Sequence, residues 1–150
     1  MTPVNNAQPK VPELAPLLGQ WSLISFDLES QQSGERRPAW GSGPVGRLVI
    51  LPSAFMIVVL TAANRAIPTT NDQRAEAFMQ TIAYTGPIEV EGDLMKTKVD
   101  VSWNEAWTST VQTRAFKFIG QNLSLISTWA PSPFDPSVIV RGILEWKREA

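Results

Sequence analysis

The chain has 150 residues, 43% of them hydrophobic and 18% charged, with a formal net charge of −1 and neither histidine nor cysteine. That length allows one domain with a real core, and the near-neutral balance argues against nucleic acid, whose binding needs clustered Lys and Arg. The missing cysteines exclude a disulfide framework and thiolate metal sites; the missing histidines remove the commonest general base, Ser–His and Cys–His nucleophile pairs, and His-based metal sites.

Residues 1–16 carry Pro3, Pro9, Pro12 and Pro16 and few apolar anchors, which predicts a flexible arm closing with a helical turn before Gly19. The start, MTPVNNAQPK, has no basic n-region and no apolar h-region, so no signal peptide is expected and a cytoplasmic protein is the reading. The longest apolar run, AFMIVVL, falls far short of the roughly 20 residues that span a bilayer. A first strand is expected over about Gln20–Leu28. Trp21 and Leu23 point one way and Ile24, Phe26 and Leu28 the other, so this strand must be covered on both sides or bulged.

ESQQSGERRPAWGSGPVG (29–46) reads as a long loop with Trp40 stranded in it, the pattern of a lid. Its glycine-rich end has no P-loop lysine and no following helix, so it is a turn. GRLVIL (46–51) and AFMIVVLTA (54–62), joined at Pro52-Ser53, read as a hairpin. One helix is expected over about 71–82, with Thr70 as cap and Gln73 in capping-box position. Ala75, Phe78, Met79 and Ile82 give it one apolar stripe to lay against a sheet.

Strand signals then follow closely. Tyr84, Ile88 and Val90 oppose Glu89 and Glu91; after the turn Gly92-Asp93, Val99, Val101 and Trp103 oppose Lys96, Lys98, Asp100 and Ser102. WTSTVQTRAFKF (107–118), NLSLISTW (122–129) and VIVRGILEWKR (138–148) complete the set, and APSPFDPS (130–137) is a second proline-rich loop carrying Phe134. Eight strands joined mostly to sequence neighbours predict an all-β, antiparallel up-and-down barrel over 17–150, with the helix between the third and fourth strands. Such a barrel is filled by side chains or holds one small ligand; a sandwich of the same strands is the competitor.

The ordered pieces Leu18-Gly-Gln-Trp-Ser-Leu-Ile-Ser-Phe26, Pro44-Val-Gly-Arg-Leu48, Ala83-Tyr-Thr-Gly86, Val99-Asp-Val-Ser-Trp-Asn104, Gln112-Thr-Arg114 and Leu144-Glu-Trp-Lys-Arg148 resemble the bacterial and fungal lipocalin-like domain family. The resemblance implies that Trp21 plugs the closed end of the barrel and that Arg148 or Lys147 packs over its ring, a cation–π contact. Trp146 belongs to the same end.

Trp40, Trp103, Trp107 and Trp129 fall in a loop or near strand ends, where a barrel opens. With Met56 and Phe134 they are the candidate lining for an apolar ligand; the plainer alternative is mouth packing with no ligand. Tyr84, Gln112, Arg114, Arg141 and Glu145 are the polar residues that could face inward, and Gln112 and Arg114 share a strand face with Thr108, Thr110, Phe116 and Phe118. An arginine on such a face is either satisfied inside or exposed. No carboxylates have metal-ligand spacing, and no cofactor is expected. Two functions fit. The resemblance implies a cofactor-independent cyclase or isomerase of the pericyclic kind, acting on a hydrophobic polyketide or terpenoid intermediate, with Tyr84, Gln112 and Arg114 as candidate catalytic donors that would polarise a carbonyl. The alternative is a non-catalytic carrier of a small hydrophobic ligand. Monomer and homodimer are both open.

Overall fold

In the computed structural model, which describes residues 13–149, the strands are β1 (Gly19–Ser30), β2 (Arg36–Pro38), β3 (Val45–Leu51), β4 (Phe55–Thr61), β5 (Thr81–Glu91) and β6 (Leu94–Lys98). They continue with β7 (Val101–Ser102), β8 (Val111–Ile119), β9 (Asn122–Ser127), β10 (Ala130–Pro131) and β11 (Ile139–Arg148), and an α-helix, α1 (Asn71–Met79), sits between β4 and β5. Of the eleven strands, β2, β7 and β10 are short additions; the other eight pair antiparallel in the ring β1-β3-β4-β5-β6-β8-β9-β11, and β11 returns to β1. The barrel is closed, which leaves no long sheet edge to protect.

Two bulges decide which side chains enter the barrel. Leu23 faces Trp146 and Ser25 faces Glu145, so Ile24 is an extra residue in β1 and is 45% exposed. The insertion reverses the alternation. Trp21 and Leu23 before it and Phe26 and Leu28 after it therefore all pack on the core. The two-faced first strand expected from sequence is thus a bulged strand. The second irregularity lies between β6 and β7: Ile88 faces Thr97, yet Thr85 faces Val101, one residue out of step. Val99 is buried but Val101 is 65% exposed, so Val101 does not continue the inward row as the sequence pattern suggested. The displaced backbone crosses Gly86, where any Cβ would lie 2.1 Å from the Lys98 carbonyl oxygen, so only glycine fits.

The long loop over 29–46 is more ordered than its composition suggested, because β1 runs on to Ser30 and Arg36–Pro38 folds back on Asp27, Leu28 and Glu29. Conversely, the strand expected from Trp107 starts at Val111. Turn hydrogen bonds from Trp107 N to Asn104 O, Thr108 N to Glu105 O and Thr110 N to Trp107 O hold the preceding residues in a coil. Helix α1 ends at Met79, short of the expected Ile82, which belongs to β5. Its capping box forms as expected, with the Thr70 hydroxyl accepting from Gln73 N. Its apolar stripe is not laid on a sheet, however: α1 has no buried residue, and Phe78 and Met79 are 43% and 47% exposed.

The two ends of the barrel differ. At one end the connections are the tight turns β3–β4, β5–β6 and β8–β9, and the helical turn Ala15–Leu17 lies across it. Leu14, Leu17, Trp21, Leu48, Ile50, Leu123 and Trp146 fill that end. Arg148 stacks its guanidinium 4.1 Å from the Trp21 ring centroid and donates to Leu18 O and Pro16 O at 2.6 Å each, while Trp21 Nε1 donates to Leu17 O. The expected plug and its basic cover are both present, and the cover is Arg148. The expected flexible arm falls mainly on residues 1–12, which lie outside the described residues. Every long connection, α1 included, is at the other end.

Candidate functional site

The open end is ringed by the loop carrying Trp40, by α1, by the β7–β8 connection carrying Trp103 and Trp107, and by the loop carrying Phe134. Aromatic contacts tie the rim together: Phe26 meets Trp40 edge-on at 5.0 Å between centroids, Trp103 meets Trp107 edge-on at 4.9 Å, and Phe78 of α1 lies 6.1 Å from Trp103. Edge-to-face pairs at these separations are the geometry favoured by ring quadrupoles. They enclose a hollow of about 200 Å³ whose walls include Phe26, Trp40, Phe78, Trp103, Trp107 and Phe134.

Beside it is a second chamber of about 260 Å³, sharing Phe26, Leu28, Ile82, Trp107 and Pro133 with the first. Its character is different, because Gln112, Arg114, Ser127, Thr128 and Arg141 are among its walls. The barrel register explains why Gln112 and Arg114 are there. Facing residues of paired strands share one side of the sheet, and Gln112 faces Thr97 while Arg114 faces Met95, both fully buried in the barrel. Arg114 is contacted on two sides. Its Nη1 donates to Thr113 O at 3.0 Å, its Nη2 donates to Gln112 Oε1 at 3.3 Å, and its guanidinium carbon is 5.8 Å from the Trp107 ring centroid. Gln112 Nε2 in turn donates to Thr110 Oγ1, which donates to Trp107 O. Neither chamber has an Asp, Glu, Lys or Tyr in its walls.

A family model described as a lipocalin-like domain matches residues 18–149. The chain belongs to the lipocalin-like domain family. A search of curated proteins returns no match. Membership and the aromatic hollow agree on the coarse activity: this lipocalin-like barrel is built to bind a small hydrophobic ligand. Among the described residues no helix is long and apolar enough to cross a membrane, and no cluster of three metal-ligating side chains occurs.

Within the lipocalin-like barrel, the residues singled out from sequence divide. Trp40, Trp103, Trp107 and Phe134 line the aromatic hollow, and Gln112 and Arg114 line the polar chamber. Tyr84 faces inward but lies below the hollow, 7% exposed, with its ring 5.3 Å from that of Trp107; it supports the wall rather than forming it. Met56 is deeper still, 1% exposed, its Sδ accepting a hydrogen bond from Thr97 Oγ1. Trp129 is at the open end but lines neither chamber, because Arg141 stacks on it at 4.4 Å and ion-pairs with Glu29 at 2.6 Å. Arg141 and Glu145 lie on the outward row of β11, since Leu144, facing Phe26 and Leu125, takes the inward one.

Sequence reading missed Phe26, Leu28, Phe78, Met79, Ile82, Pro133 and Gly142 as walls. The bulge at Ile24 had disguised the side on which Phe26 and Leu28 lie. Gly142 carries a signal visible only in three dimensions: a Cβ there would come within 3.2 Å of Phe26 Cε1, so its lack of a side chain keeps the chamber open. At the rim, the Asp135 carboxyl is held below its ordinary value by the Ser137 hydroxyl and then by the Ser137 backbone N–H, contacts that set the turn next to Phe134.

Proposed function

We propose that this lipocalin-like barrel is a cofactor-independent cyclase or isomerase that folds a hydrophobic polyketide or terpenoid intermediate at its mouth. The observation that carries the reading is the pairing of two fixed donors, Arg114 and Gln112, with an aromatic enclosure that contains no carboxylate, lysine or tyrosine. Acid–base chemistry has little to work with here. A pericyclic closure or a conformationally controlled isomerisation needs none, because holding reacting carbons in a near-attack shape removes entropy from the barrier. In this reading Arg114 and Gln112 fasten the polar end of the substrate, and Trp40, Trp103, Trp107 and Phe134 fold the rest. Tyr84 acts by supporting Trp107.

The test uses the purified protein with linear polyenes bearing a diene and a dienophile, following rate and product stereochemistry by chiral chromatography. Acceleration with one dominant stereoisomer is expected, and Arg114→Gln or Gln112→Ala lowers the rate by about 100–1000-fold, the scale of losing a preorganised donor. The carrier reading, a non-catalytic barrel holding a small hydrophobic ligand, rests on the same aromatic hollow. It takes over if the polyenes quench tryptophan emission while rate and stereochemistry stay at their uncatalysed values.

A further inference from the structure

The polar chamber contains a charge imbalance that the hollow alone does not explain. The Arg114 guanidinium faces into the chamber and no acidic side chain is among its walls, while Arg141 borders it from the outward row of β11. Arg141 is neutralised by Glu29 on the outer face. Arg114 is not: among the described residues no carboxylate lies within ion-pair distance of it, and its only acceptors are Thr113 O and Gln112 Oε1. A half-buried guanidinium carries more N–H donors than these two acceptors use. Partly removing an unpaired cation from water is costly unless something of opposite charge compensates it. The ring of Trp107 supplies a weak partner on the face of the guanidinium, but none in its plane.

The geometry points to an anionic head group, of carboxylate type, on the ligand of this barrel, seated against Arg114 while the apolar body lies in the aromatic hollow. Resting as it does on the mouth being the ligand site, the inference names the polar end that the proposed function left open. The planar guanidinium fork matches a carboxylate in shape as well as charge. Gln112 Oε1 accepts from Nη2 and so fixes the fork before the ligand arrives, which lowers the ordering cost of binding. Gly142, opposite Phe26, leaves the space that the head group needs. The rings of Trp107 and Phe26 are common to both chambers, so the ligand passes from charged to apolar surroundings between them.

The experiment titrates the purified protein with decanoic acid, methyl decanoate and decanol, at a pH well above the acid's pKa, reading quenching of tryptophan emission. The acid is expected to bind about tenfold or more tightly than the ester or the alcohol, the scale of a charge-assisted hydrogen bond. Arg114→Gln should bring the three ligands to similar affinity, and Arg114→Lys, which keeps the charge but loses the fork, should retain part of the preference. Equal affinities in the wild type, or a preference for the acid that survives Arg114→Gln, overturn the head-group assignment and leave the hydrophobic site standing. If none of the three changes the emission, the mouth is not an apolar-ligand site and both readings fall. Circular dichroism of each variant separates loss of binding from loss of fold.

Discussion

The closed and open ends of this barrel use tryptophan in opposite ways. At the closed end Trp21 and Trp146 are 0% and 1% exposed and are packed by Leu17, Leu48 and Leu123, with Arg148 laid over the Trp21 ring. At the open end Trp40, Trp103 and Trp107 stay partly accessible, meet other rings edge-on, and leave a hollow between them. The connections explain the difference. Tight turns draw the strands of one end together around a filled centre, whereas long loops and α1 hold the rings of the other end apart. With stability concentrated at the floor and binding proposed at the mouth, substitutions at the two ends should separate the two properties.

The sharpest break comes from Trp21→Ala. It removes a fully buried ring, the hydrogen bond to Leu17 O and the platform for Arg148. A loss of about 3–5 kcal/mol is expected in urea denaturation, the usual cost of deleting a buried aromatic side chain. A loss under about 1 kcal/mol would mean that the floor does not carry the fold. Arg148→Ala should cost less, about 1–3 kcal/mol, since it takes away the cation–π contact and the donors to Leu18 O and Pro16 O but leaves the core packed. Arg148→Lys should recover only part, because one ammonium cannot serve two carbonyls and a ring face in the same geometry.

The same division governs what the sequence revealed. The floor was legible, since its three tight turns are local signals and the resemblance to the lipocalin-like family implied the Trp21 plug and its basic cover. The ring order followed from nearest-neighbour hairpins. The mouth was legible in composition but not in placement. Trp40 and Phe134 were recognisable as rings stranded in loops, Trp103 and Trp107 as rings near strand ends, and Gln112 and Arg114 as polar residues sharing a face with Phe116 and Phe118. Which face was inward required the pairing of Arg114 with Met95. Phe26 and Leu28 were hidden because one extra residue at Ile24 reverses the alternation, and no local pattern marks a bulge. Met56 was misleading for the opposite reason: an apolar side chain on an inward row can lie in the packed floor as easily as in the hollow.

At the mouth the expectation reverses. Phe134 is 61% exposed, so Phe134→Ala should change stability by no more than about 0.5 kcal/mol. Its ring is nonetheless part of the hollow's wall, and loss of that face should weaken binding of an apolar probe by about five- to tenfold in a fluorescence titration. A destabilised protein with unchanged affinity would place Phe134 in the structural half of the molecule instead.

Helix α1 gives the smallest effect on stability and the finest test of the comparison. Its N-terminus is fastened by the Thr70 hydroxyl, which accepts from Gln73 N, and its C-terminal end by Thr81 Oγ1, which donates to Ala77 O. Between those ends it buries nothing, and its link to the rim is the Phe78–Trp103 ring contact. Thr70→Ala should therefore loosen the helix by about 1 kcal/mol, the usual worth of an N-cap. Amides of 71–79 should then exchange about fivefold faster, while the thermal midpoint of the barrel stays where it was. If the midpoint falls along with helix protection, α1 is part of the cooperative barrel core. If only the helix loosens, α1 is a separately opening cover through which a ligand can reach Trp103 and Trp107.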